Sequence, residues 1–98
     1  MIYELVEIHV IAGQEEAFVA AVQEAAPLFR NAKGCHGFAL KRSIEAPDLF
    51  RLLVRWDSVD DHMVGFRNSP AFAEWRRLAG PHFARPPHVE HMAVVAEA

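Results

Sequence analysis

The sequence predicts an α+β fold: one four-stranded antiparallel sheet with its helices on a single face. Three observations carry this. Four apolar-rich stretches, near 2–11, 37–44, 49–56 and 88–95, have the length and composition of strands. Segments with helical spacing fall between the first and second of these and between the third and fourth. The middle two are joined only by EAPD, a connection short enough to make them an antiparallel hairpin.

IYELVEIHVI opens the chain as a strand with apolar residues on both parities: Ile2, Val6, Ile8 and Val10 on the even side, and Tyr3, Leu5 and Ile11 with Glu7 and His9 on the odd. Such a strand is expected to be covered on both faces. Gly13 ends it. Glu15 and Glu16 then occupy a first helical turn, where carboxylates favour the dipole, and Phe18, Ala21, Val22, Ala25, Leu28 and Phe29 follow at helical spacing. Pro27 predicts a kink or loosening before NAKG turns the chain, because its nitrogen donates no hydrogen bond.

GFALKRSI and LFRLLVRW form the hairpin, with Phe38, Leu40, Ile44, Phe50, Leu52, Val54 and Trp56 on the even face. Their odd positions mix Lys41, Arg51 and Arg55 with Leu49 and Leu53. That face is too apolar for water and too charged for a monomer's core, so it is expected to meet a second subunit. Ser58 and Asp61 read as a capping box opening a short helix with Val59, His62, Met63 and Phe66 on its inner face. Ser69-Pro70 predicts an N-cap with proline at the first position of a further helix, which carries Phe72, Trp75, Arg76 and Ala79 and stops at Gly80-Pro81. After ARPP, HVEHMAVV makes the last strand. Strand, helix, strand, strand, helix pair, strand is the split βαβ, or ferredoxin-like, order.

The 98 residues make one domain, 1–98, with a 52% hydrophobic content suited to a single core. A formal charge of −3 leaves no basic stripe for phosphates, which argues against nucleic acid and against anionic membranes. The N-terminus has neither the basic region nor the cleavage site of a signal peptide, and no apolar run is long enough to span a bilayer. A cytoplasmic protein is expected, in keeping with a single cysteine, Cys35.

KGCHGFAL has the outline of the loop and strand with which RNA-binding domains of this topology stack bases, but the exposed aromatics are missing. Cys35 beside His36 suggests a nucleophile and its base, yet adjacent side chains diverge on extended chain, and a free cysteine packs as a small hydrophobe. His82, His88, Glu90 and His91 are metal-ligating types. On a strand, however, His88 and Glu90 face one way and His91 the other, so no metal site is expected. His62 is the sharper case. It shares an apolar helix face directed toward Trp56, Phe72 and Arg76, where a buried histidine bonded to backbone would fit. An apolar pocket holding one histidine and one guanidinium also suits a small anionic or phenolic ligand.

At RWDSVDDHMVGFRNSPAFAEW, with the late PP and the closing strand, the chain resembles the antibiotic biosynthesis monooxygenase family of dimeric α/β barrels. AGQEEAF and GCHGF at the edges of the early strands support the likeness, which covers nearly the whole chain. It implies a homodimer in which two ferredoxin-like sheets form a barrel, each protomer keeping a pocket between sheet and helices. It also implies an oxygenase of phenolic substrates that needs no cofactor, neither metal nor flavin, and takes a small aromatic substrate and O₂ as partners. The site residues it implies are Trp56 and Arg76, matching in type, His62 in place of a tyrosine and Leu52 in place of an asparagine, with Phe66, Phe72 and Trp75 lining the pocket. His62 would be base or hydrogen-bond partner of the phenol, Arg76 the oxyanion's partner, and Trp56 would pin the ring and offer its indole N–H. The family's haem-degrading branch needs a histidine, an asparagine and a tryptophan where this chain has Trp75, Val6 and Gly65, so haem is not expected. The same features would also fit a non-catalytic dimer binding an aromatic metabolite, or a plain structural dimer with His62 in its core.

Overall fold

The computed structural model describes residues 1–98. Strand β1 (Ile2–His9), helix α1 (Glu15–Arg30), strands β2 (Cys35–Arg42) and β3 (Leu49–Trp56), a π-helical turn (Asp61–Phe66), helix α2 (Pro70–Ala79), a 3₁₀ turn (Gly80–His82) and strand β4 (His88–Met92) follow in order. The strands pair in the order β2-β3-β1-β4, antiparallel throughout, as the ferredoxin-like pattern requires. No helix is long and apolar enough to cross a membrane.

The core lies between the sheet's even face and the helices. Val6, Ile8, Phe50, Leu52, Val54 and Trp56 pack there against Phe18, Val22, Ala25 and Phe29 of α1 and Trp75 and Ala79 of α2. Alternation along the strands is what separates the two faces. On the other face Leu5, Leu49 and Leu53 stay half-buried beside exposed Arg51 and Arg55, so a single chain covers β1 on one side only.

Local departures from the sequence reading each have a cause. Helix α1 runs unbroken through Pro27, whose carbonyl accepts from Asn31 N at 3.0 Å. Near the end of the helix the missing proline N–H costs one bond only. Ile44 lies outside β2 and is 90% exposed, because the chain is already turning: Ser43 N bonds Leu49 O at 2.9 Å and Ala46 N bonds Ser43 Oγ at 3.0 Å. Strand β4 stops at Met92, not at residue 95, since Met92 pairs with Tyr3 and β1 begins at Ile2.

The turn after β3 differs most. Ser58 Oγ accepts from Asp61 N at 3.1 Å, which is one half of the expected capping box. The winding that follows is wide, with Arg67 N reaching back five residues to His62 O at 3.0 Å. That pitch aligns residues about four apart. His62 and Phe66 are therefore buried, while Val59 and Met63, expected beside them, are 41% and 37% exposed. The Ser69 hydroxyl donates back to Phe66 O at 2.6 Å and caps no N–H of α2.

Candidate functional site

The buried even face of the sheet carries one charged residue, Glu4. Strand pairing fixes its neighbours: Glu4 lies opposite Val54 of β3 on one side and opposite His91 of β4 on the other. Trp56, diagonal to it on β3, reaches across and donates its indole N–H to Glu4 Oε1 at 2.9 Å. From above, the π-helical turn lowers His62 onto the same carboxylate, with Nε2 3.2 Å from Oε2. The other ring nitrogen, Nδ1, is 2.8 Å from Nε2 of half-buried His91. His62 also lies nearly parallel to Trp56, ring centroids 5.5 Å apart.

Burial governs the charge state of this network. It pushes the Glu4 carboxyl from 4.5 up to about 7, against the opposing pull of the Trp56 N–H and the Arg67 charge. It pushes the His62 imidazole from 6.5 down to about 4, helped by the charges of His91 and Arg67. Two proton arrangements satisfy every bond. Either protonated Glu4 donates to His62 Nε2 and His62 Nδ1–H donates to His91, or ionised Glu4 accepts from Nε2–H and His91 donates to Nδ1. Glu4, His62 and His91 thus form a continuous path for a proton from the buried carboxyl toward the surface.

Glu4 and His62 form part of the wall of a cavity of about 790 Å³. Its apolar lining is Val6, Phe72, Trp75, Phe83 and the prolines of the loop before β4, and its cationic lining is Arg67, Arg76, Arg77 and Arg85. Two guanidiniums lie over Phe72, with Arg67 Cζ 5.5 Å and Arg76 Cζ 6.0 Å from its ring centre.

Of the residues that the sequence singled out, His62, Arg76, Phe72 and Trp75 therefore share one cavity. Trp56, Leu52 and Phe66 do not line it. Trp56 is fully buried with its N–H committed to Glu4, so it supports the site from behind and has no donor left for a ligand. Leu52 is buried in the core, and Phe66 faces a second cavity of about 630 Å³ between the end of α1 and the π-helical turn. The cation acting on the buried pair is Arg67, which the sequence reading passed over. It also passed over Glu4, although a carboxylate among Ile2, Val6, Ile8 and Val10 breaks an otherwise apolar parity. His91 carried no comparable signal.

The remaining polar candidates disperse. His36 Nε2 bonds Asp57 Oδ1 at 2.6 Å and not Cys35, whose thiol accepts from Gly37 N at 3.4 Å and is pushed up by burial. His82 bonds Gln14 at 2.9 Å, and His88 lies 3.9 Å from Glu90, away from His91. No three such side chains are arranged to hold a metal ion.

Comparison with known proteins agrees with this architecture. Residues 1–78 match the family model described as antibiotic biosynthesis monooxygenase. A crystal structure bearing that family name, from Bordetella bronchiseptica, is 53% identical, covers 97% of both chains and superposes with a TM-score of 0.96. The uncharacterised Bacillus subtilis protein YczJ is 34% identical over 91 residues, covering 93% of this chain and 96% of its own. A structure from Nitrosomonas europaea, also carrying the family name, has a TM-score of 0.82 over 98% of this chain and 100% of its own. At 19% identity it speaks to the fold alone.

Proposed function

The chain belongs to the antibiotic biosynthesis monooxygenase family, and from that premise we propose that it oxidises a small phenolic aromatic with O₂, using no cofactor. The observation that carries this reading is the buried Glu4–His62 pair, 3.2 Å apart, at the wall of an apolar cavity large enough for one or two fused rings. A carboxyl held near 7 is a base matched to neutral pH. Both nitrogens of His62 are already engaged, so Glu4 takes the substrate's proton and His62 passes it on toward His91.

The steps balance without an added reductant. Glu4 removes the phenol O–H proton, and Arg67 stabilises the phenolate. The phenolate gives one electron to O₂, and the two radicals join at the ring carbon para to the oxygen, forming a C–O bond. The proton returns along His91 and His62 to Glu4, which delivers it to the distal peroxide oxygen. Glu4 then takes the proton from that ring carbon, the O–O bond breaks, and the departing hydroxide receives this proton and leaves as water. Phenol plus O₂ gives quinone plus water. Val6, Trp75 and Phe83 hold the ring and exclude water, which protects the phenolate.

An oxygen electrode with a panel of phenols and naphthols tests the proposal. We expect one O₂ consumed per quinone formed, with Glu4→Gln lowering turnover by about a hundredfold or more at unchanged fold. His62→Gln should lower it less and make the rate depend on buffer concentration, because small bases in solution replace the lost relay. Tight binding of a phenol with no oxygen uptake would instead favour a non-catalytic aromatic-binding dimer.

A further inference from the structure

The cavity's charge is at odds with the chain's. A protein of net charge −3 places four of its ten lysines and arginines around one opening, and the single carboxylate in that lining is Glu4 at the buried wall. Arg77 is paired with Glu74. Arg67, Arg76 and Arg85 have no carboxylate within ion-pair distance, whereas acidic residues outnumber basic ones by 13 to 10 in the chain as a whole. Three uncompensated guanidiniums from three segments, the end of the π-helical turn, α2 and the loop before β4, converge on an apolar slot. Two of them lie over the Phe72 ring, which leaves Val6, Trp75 and Phe83 as the apolar wall for a ligand's ring.

We propose that the ligand of this cavity is an aromatic acid: a ring with a hydroxyl directed at Glu4 and an anionic head group, carboxylate or phosphate, held at the mouth by Arg76 and Arg85. The inference rests on the reading of the cavity as the site of phenol oxidation and names the class of phenol. Planar guanidiniums match the paired oxygens of such head groups, and the apolar walls between mouth and floor suit the ring. The hydroxyl end meets a different environment. At the floor an anionic head group would face the Glu4 carboxyl, the one acidic side chain of the lining, whereas a hydroxyl can donate to it, so the ligand has one orientation.

Equilibrium binding tests this separately from turnover. Under nitrogen, where no oxidation occurs, 3-hydroxybenzoate, 3-hydroxyphenyl phosphate and the neutral 3-hydroxybenzamide, all with the carbon para to the hydroxyl free, are titrated by calorimetry into the purified protein. We expect at least one of the two anions to bind about tenfold or more tightly than the amide, the scale of one charged hydrogen bond, and to weaken as salt rises. The better anion identifies the head group. Arg76→Gln and Arg85→Gln should each reduce that preference, whereas Arg30→Gln, the same charge change at the far end of α1, should leave it intact. Equal or tighter binding of the amide overturns the proposal, as does absence of binding by all three probes, or a preference that survives the double Arg76→Gln, Arg85→Gln variant. Preferential anion binding with no oxygen uptake under air would leave the ligand class standing and remove the oxygenase.

Discussion

Glu4 and His62 have opposite pH dependences that should cancel. Glu4, raised to about 7, contributes stability fully below about pH 4.5 and loses it as pH rises through 7. His62, lowered to about 4, contributes fully above about pH 6.5 and loses it as pH falls through 4. Between these limits the native pair holds one proton on the carboxyl and the unfolded chain holds one on the imidazole, so the pair gives no net slope. Each single variant should uncover the other residue. Relative to wild type, Glu4→Gln should gain about 3 kcal/mol as pH rises from 4 to 7, and His62→Gln should lose about 3 kcal/mol over the same range. Urea unfolding at stepped pH reads both, and a tilt of the same sign in the two variants would contradict the assignment. A carboxylate on an apolar parity was legible in the sequence as an anomaly. Its partners were not, because His62 and His91 are 58 and 87 positions away and meet it only through strand register and the pitch of one turn.

Among the elements, the π-helical turn decides where His62 goes, and its footing is Gly34. That residue has φ +79°, and its carbonyl accepts from Asp57 N at 2.8 Å, tying the start of β2 to the end of β3. A Cβ there would lie 2.9 Å from Asp61 Cβ. Gly34→Ala should therefore displace the first residue of the turn as well as strain the backbone, at a cost of roughly 1–3 kcal/mol. Differential scanning calorimetry should show a fall of about 4 °C or more. Ligand affinity should fall with it, since His62 moves with the turn; an unchanged melting point and affinity would mean that the loop adapts freely. Strand positions, the hairpin and both helices follow from apolar period and turn residues alone. The inner face of this turn does not, because a 3.6-residue period assigns Val59 and Met63 to the core and the wider winding releases them.

At the scale of the whole molecule, the sheet's outer face sets the expectation. Leu5 and Leu53 are cross-strand partners there, half-buried in the lone chain, between Arg51, paired with Glu7 at 3.2 Å, and Arg55. Covering such a face with a second copy should give a homodimer burying roughly 2,000 Å² or more. Light scattering should return twice the chain mass at micromolar concentration, and Leu53→Asp, which sets a carboxylate against Leu5, should shift the population toward monomer. A wild-type monomer at that concentration would remove the barrel from the account. The cavity lies on the opposite, helix-covered face.

By itself the sequence determined the order of elements, the antiparallel hairpin, the face each strand buries, and the presence of a histidine and an arginine beside an apolar slot. These are local properties: side-chain period, turn chemistry and helix punctuation act within a few residues. The tertiary structure decided which polar atoms meet. Trp56 turned inward to Glu4 and away from any ligand, His62 spent both nitrogens on Glu4 and His91, and four arginines from three segments gathered at one mouth. Periodicity says which side of a strand a residue faces and says nothing about what stands opposite. That is fixed by register and by the packing of helix on sheet, where the cost of an unpaired buried polar group selects the one arrangement that satisfies them all.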